Sequence, residues 1–168
     1  MTQKWFQETV FVLKDEMYRF AKSYLLSMEE AQDVVQELML KFWQKKETLN
    51  TYENLKSYVL TCVRNECLNR LKHEKVKKAY AGLMISNAEY YRPEVNNLRD
   101  QIIEYINELP EKQRLVIHMK DVEEYSVAEI SEVLEMEQNA VRVNLMRARE
   151  KIKTQITQLM NYEKRQLS

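Results

Sequence analysis

The chain has 168 residues, 45% of them hydrophobic and 31% charged, with one glycine and two prolines. Left-handed turns, hairpin loops and phosphate-cradling loops draw on glycine, so a Gly-rich P-loop, a dinucleotide fingerprint and a collagen-like repeat are excluded, and a hairpin-rich β fold is disfavoured. Lys+Arg and Asp+Glu are equal at 26 each, so no bulk field advertises a partner, and the expected fold class is all-α.

A first helical block is expected from about Trp5 to Leu26, with Phe6, Val10, Phe11, Met17, Tyr18, Ala21, Tyr24 and Leu25 recurring mostly at three- and four-residue steps. Ser27 and Glu30 form an S-x-x-E capping box that opens a second helix. Its apolar stripe is Ala31, Val34, Val35, Leu38 and Phe42, with Trp43 beside it. The polar stretch QKKETLNTYEN precedes a third helix near Leu55, lined by Leu55, Val59, Cys62, Val63 and Leu71. From Lys75 to about Asn97 the periodicity fades around Gly82 and Pro93, which marks a linker. Leu98, Ile102, Ile103 and Ile106 make the next helix, and Pro110 suits the first turn of the one after, buried through Leu115, Val116 and Met119. Ser126 and Glu129 are a second capping box, opening a short helix to about Leu134. A long final helix runs from about Gln138 past Leu159 on the stripe Val141, Leu145, Ala148, Ile152, Ile156, Leu159. The expected layout is two small helical domains, 1–75 and 98–160, joined by a linker at 76–97 and followed by a tail at 161–168.

The zero net charge conceals local blocks. Residues 64–78 hold six bases against two acids, residues 104–137 hold ten acids against three bases, and residues 138–168 hold seven bases against two acids. A charge run is usually a solvated face, but both basic runs adjoin recognisable motifs. Cys62 and Cys67 match neither a zinc spacing nor CxxC and read as reduced thiols. His73 and His118 have no metal-like neighbours in sequence and read as surface or helix-end residues. No metal, cofactor or catalytic set is expected. The amino-terminal MTQKWFQETVF lacks a basic region leading into an apolar run, and no apolar stretch nears the ~20 residues of a membrane helix. A cytoplasmic protein without direct membrane insertion is the expectation.

A short helix, a three-residue break and a second helix rich in basic and amide side chains describe a helix-turn-helix. Val127, Ile130, Leu134, Met136, Val141 and Leu145 can fill the helix crossing. Gln138, Asn139, Arg142, Val143, Asn144 and Arg147 can face a major groove, because Arg pairs with guanine, Asn or Gln with adenine, and an apolar side chain meets a thymine methyl. Arg149, Lys151 and Lys153 suit phosphates. Glu135 stands where the turn usually has glycine, and Ser131 where alanine usually lets the helices approach.

Residues 109–152 resemble region 4 of the extracytoplasmic-function (group IV) sigma factors of the sigma-70 family. The likeness rests on Leu109-Pro110 with Arg114, and on Arg147-Ala148-Arg149 with Ile152. Asp33-Val-Val-Gln36-Glu37-Leu-Met-Leu-Lys41-Phe42-Trp43 independently resembles the D-x-x-Q-E-x-[FL]-x-x-x-W signature of sigma region 2, with Met39 at its large apolar position. Leu55 to Lys72 resembles the promoter-melting helix that follows, with Tyr58 where the family has tryptophan and Asn69 where it has aspartate.

The resemblance implies a subunit with no chemistry of its own that binds core RNA polymerase at the beta-prime clamp helices and the beta flap. Asp33, Gln36, Glu37, Leu40 and Lys41 would dock on the polymerase. Tyr52, Asn54, Tyr58, Arg64, Asn65, Asn69, Arg70 and Lys72 would open and hold the −10 element, with residues 44–56 as its specificity loop. The helix-turn-helix would read the −35 element, and an anti-sigma factor is an implied partner. The alternative is a stand-alone helix-turn-helix regulator with a helical effector or dimerisation domain, which gives DVVQELMLKFW no role. A helical adaptor that binds protein only is a third reading, and it leaves both basic runs without one.

Overall fold

The computed structural model describes residues 2–82 and 97–168. The expected linker from 83 to 96, including Leu83, Met84 and Ile85, lies outside the described residues. The described residues are helices and turns without a strand, and the chain divides into two compact units.

The amino-terminal unit opens with α1 (Gln3–Thr9), whose first turn is capped by Thr2 Oγ1 accepting the Trp5 N–H at 3.3 Å. The apolar block expected as one helix is broken here by a 3-10 turn at Phe11–Leu13 before α2 (Lys14–Leu25) begins. Thr9 Oγ1 donates back to the Trp5 carbonyl at 2.6 Å, and the run Thr-Val-Phe-Val that it opens is β-branched and aromatic, of low helix propensity. The break leaves Phe11 and Val12 exposed while Val10 is fully buried. Leu26 ends α2 in the left-handed conformation, φ +55°, with its N–H on the Lys22 carbonyl.

Ser27 Oγ then accepts the Glu30 N–H and starts α3 (Met28–Gln44). A short α4 (Lys46–Leu49) falls inside the stretch expected as loop and buries Leu49. Asn54 Oδ1 accepts the Ser57 N–H at 3.1 Å to start α5 (Leu55–Tyr80). Helix α2 packs on α3 and α5. Met17, Phe20 and Ala21 meet Ala31, Val34, Val35, Leu38 and Phe42 and the α5 side chains Val59, Leu60, Val63 and Cys67 in one core. Burying a side chain such as Phe20 contributes about 1.5–3 kcal/mol. Helix α5 runs five residues beyond residue 75, exposed on every side from Lys72 onward. It stops at Ala81 with Gly82 following at φ +59°, the left-handed residue that commonly closes a helix.

In the carboxyl-terminal unit, Asn97 Oδ1 caps α6 (Leu98–Asn107) through the Asp100 N–H. Pro110 takes the cap position of α7 (Glu111–Ile117). Helix α7 widens into a π turn at His118–Val122, where the Glu123 N–H reaches the His118 carbonyl five residues back. Helix α8 (Val127–Leu134) and helix α9 (Gln138–Leu167) follow. Both halves of the Ser126 box form: Ser126 Oγ accepts the Glu129 N–H at 3.1 Å, and Glu129 Oε2 accepts the Ser126 N–H at 2.8 Å. Helices α6 and α7 pack on α9, burying Ile106, Leu115, Val116, Met119, Val141, Leu145, Ala148 and Ile152. The expected α9 stripe is buried through Ile152, whereas its last two members, Ile156 and Leu159, are only half-buried, and the helix continues through the residues expected as a tail.

Arg114 is buried, and its Nη1 donates to the Leu109 carbonyl at 3.1 Å. The LPxxxR spacing thus lets a guanidinium satisfy the carbonyl stranded ahead of Pro110. His118 sits at the end of α7 as expected, but not at the surface: its side chain is largely buried, with Nε2 3.6 Å from Glu123 Oε1.

Candidate functional site

On α3 the apolar stripe faces the core, which turns Asp33, Gln36, Glu37, Leu40 and Lys41 outward together. All five are exposed, and Leu40 is 59% exposed, a large apolar side chain beside acids and an amide. Two of them reach across to α5. Arg70 Nη2 lies 2.8 Å from Glu37 Oε1, Arg70 Nε lies 3.4 Å from Glu66 Oε1, and Lys41 Nζ lies 3.5 Å from Glu66 Oε2. Burial works against the charge on Arg70, but the Glu37 and Glu66 carboxylates outweigh it and hold the guanidinium above its usual range. The network joins an expected docking residue, Glu37, to an expected DNA residue, Arg70. Glu66 was in neither set. Its i,i+4 spacing to Arg70 was readable, whereas the Glu37 contact between helices was not.

Among the residues expected at the −10 element, Tyr52 and Tyr58 stack with centroids 3.7 Å apart and planes 18° off parallel. Tyr58 is half-buried and also approaches Phe42, at 6.4 Å; Tyr52 is the exposed ring, at 41%. A hydrogen bond with Tyr52, then burial, then the Cys62 thiol push the Tyr58 phenol above its usual range, so it stays neutral. Asn54 uses its side-chain oxygen to cap α5. Arg64 Nη1 donates to Asn65 Oδ1 at 3.4 Å. Asn65, Asn69 and Lys72 are exposed along the same helix.

On α9, Gln138, Asn139, Arg142 and Arg147 are exposed, and Val143 and Asn144 are half-buried. Arg142 Nη2 donates to Gln138 Oε1 at 3.4 Å, one turn away on the same face. Asn144 Nδ2 donates to the Ala140 carbonyl at 2.9 Å, back along its own helix. Arg149, expected on phosphates, pairs in this structure with Asp121 of the π turn through two hydrogen bonds, Nε to Oδ2 at 2.9 Å and Nη2 to Oδ1. That pairing raises Arg149 above its usual range. Lys151 and Lys153 are exposed. Asp121 lies 28 residues from Arg149, and no local spacing announces the pair. Glu135 is left-handed, φ +52°, at the turn where glycine is usual.

Comparisons with known proteins follow the same division. Residues 12–76 match the family model described as sigma-70 region 2, and residues 99–152 match sigma-70, region 4. The "ECF RNA polymerase sigma factor SigW" of Bacillus subtilis (strain 168) is 26% identical over 168 aligned positions, covering 92% of this chain and 90% of that protein. The "RNA polymerase sigma factor SigV" of the same organism is 26% identical over 145, covering 86% of each. Among solved structures, the sigma factor RpoE from Bartonella quintana, in complex with the anti-sigma factor NepR, matches with a TM-score of 0.76 at 20% identity, covering 92% of this chain and 98% of that one. CnrH, in complex with the cytosolic domain of CnrY, matches with a TM-score of 0.62 at 17% identity, covering 93% and 90%. At those identities the two structures speak for the fold.

Proposed function

The chain belongs to the sigma-70 family, in its extracytoplasmic-function class, whose members direct transcription initiation, and on that premise we propose how its surfaces divide the work. The exposed α3 face, Asp33, Gln36, Glu37, Leu40 and Lys41, docks on core RNA polymerase at the beta-prime clamp helices. The α4–α5 region captures −10 bases: Tyr52 offers the exposed ring, Tyr58 backs it, and Asn65, Asn69, Arg70 and Lys72 supply amide and cationic contacts along the strand. Base stacking on an aromatic platform with a basic track beside it is how unstacked single strands are held. Helix α9 reads the −35 element through Gln138, Asn139, Arg142 and Val143, with Lys151 on the phosphates. No step of bond chemistry falls to this chain.

The observation that supports this reading most is the α3 face itself. It exposes a leucine and a D-x-x-Q-E set together, on a helix whose other side is fully engaged in the core. A stand-alone regulator has no use for such a surface. An anti-sigma factor is the further partner proposed, by extension from the two structural relatives, each of which is held by such a protein or by the cytosolic domain of another chain. Among the described residues no helix is long and apolar enough to cross a membrane.

The docking assignment is tested by titrating purified core polymerase with Gln36→Ala/Glu37→Ala. Affinity should fall about a hundredfold, the scale of interface hot spots, with helical content unchanged by circular dichroism. Native affinity in the double variant would remove α3 from the interface.

A further inference from the structure

Ser131 and Glu135 are the two positions where α8 and its turn depart from the alanine and glycine usual in a helix-turn-helix, and the structure joins them. Glu135 is left-handed, φ +52°. The residue after it, Met136, is held at both ends of its main chain by Ser131. Its N–H donates to the Ser131 carbonyl at 3.1 Å, and the Ser131 hydroxyl donates to the Met136 carbonyl. Alanine at 131 would leave only the first of these. Helices α3, α5, α6 and α8 each begin under a side-chain cap, but Glu137, at the cap of α9, makes no such bond. The two Ser131–Met136 bonds thus tie the last turn of α8 to the residue that precedes the α9 cap.

We propose that Ser131 is a positioning residue for base reading. Its hydroxyl clasps the turn in the left-handed form that glutamate by itself disfavours, and so fixes the pose of Gln138, Asn139 and Arg142. A left-handed non-glycine residue and one intramolecular hydrogen bond are of comparable size, so the clasp can decide which turn the chain adopts. The two departures from the usual pattern then compensate each other. This inference rests on the −35 reading of α9 given above and goes beyond it by assigning a residue that touches no base.

The test uses the full chain in holoenzyme on promoter libraries randomised separately at −35 and −10. Ser131→Ala should flatten the −35 base preference about fivefold or more, the scale of one well-made base contact, and leave the −10 preference intact, which guards against general unfolding. Ser131→Thr keeps a hydroxyl and should read as wild type. Adding Glu135→Gly to Ser131→Ala should restore the −35 preference, because glycine holds the left-handed turn unaided. A native −35 preference in Ser131→Ala, or a loss that Glu135→Gly does not repair, overturns the proposal. Amide exchange at Met136 in the free protein supplies a readout independent of DNA: roughly three- to tenfold faster in Ser131→Ala, and slowed again in the double variant. If wild type itself shows no −35 preference, the DNA reading of α9 fails, and unchanged Met136 exchange in Ser131→Ala would overturn the clasp separately.

Discussion

In the amino-terminal unit an acid from the proposed docking face, Glu37, and an arginine from the proposed DNA set, Arg70, neutralise each other at 2.8 Å, with Glu66 and Lys41 completing the network. In the carboxyl-terminal unit an arginine expected on phosphates, Arg149, is held by Asp121, which belongs to neither surface. The first arrangement joins the proposed docking face to the proposed DNA set, and whatever draws Glu37 away leaves Arg70 to Glu66. The second uses Arg149, which lies on the same helical face as Arg142 two turns earlier, to brace α9 against the π turn. The zero net charge therefore has local structure: part of each basic run is already matched by carboxylates from the same unit.

The units also differ in their thiols, because both cysteines lie on α5. Burial pushes the Cys67 thiol up to about 12, and burial likewise raises Cys62. The neutral form is favoured in the fold, so this contribution is complete below the unfolded thiol's range near pH 9 and is lost as pH rises toward 12. The loss is about 1.4 kcal/mol per pH unit, reaching roughly 2–3 kcal/mol by pH 11. Trp5 and Trp43, the two tryptophans, both belong to the amino-terminal unit and report its unfolding by fluorescence. Their transition should move to lower denaturant between pH 9 and 11, and Cys67→Ala should flatten that dependence. An unchanged slope in Cys67→Ala would mean that other groups carry the alkaline loss.

Smaller effects separate the two arginine pairs. Glu37 and Arg149 are about half exposed, so neither pair should contribute more than about 1 kcal/mol to stability. Glu37→Gln should raise binding of the free protein to a single-stranded oligonucleotide a few-fold at low salt. Asp121→Asn should do the same for a duplex, steepening the log–log salt dependence by about 0.9, the value of one additional phosphate contact. Each variant should leave the other substrate nearly unaffected. An equal gain on both substrates from Glu37→Gln would dissolve the distinction between the units and mark the effect as net charge alone.

How much of this was legible in the sequence follows from the range of each interaction. Burial on a helix repeats every three or four residues, so Ala31 to Phe42 on α3 and Val141 to Ile152 on α9 stood out as stripes. Caps act over three residues, and the Ser27 and Ser126 boxes marked their helix starts. The left-handed Glu135 was visible as a missing glycine. The 3-10 break at Phe11–Leu13 was hidden, because both sides of it are apolar and the stripe runs through it without interruption. The extension of α5 was missed because fading periodicity signals loss of packing, and an exposed helix shows no stripe. Arg114 is a guanidinium inside a core, where composition argues against it, and its bond to the Leu109 carbonyl is a contact that only the folded chain reveals. Glu37–Arg70 and Asp121–Arg149 are tertiary contacts, which no local window contains.

On the proposed reading, one chain docks on polymerase and reads two promoter elements with separate units. Run-off transcription with purified core RNA polymerase on a promoter library, comparing wild type with Tyr52→Ala and Arg142→Ala, tests it most directly. Wild type should confer promoter-dependent initiation; Tyr52→Ala should weaken selection at −10 only, and Arg142→Ala should change base preference at one −35 position, each by about tenfold, within the 1–3 kcal/mol of a stacked base or a bidentate base contact. A chain that neither binds core nor confers promoter-dependent initiation would contradict the account.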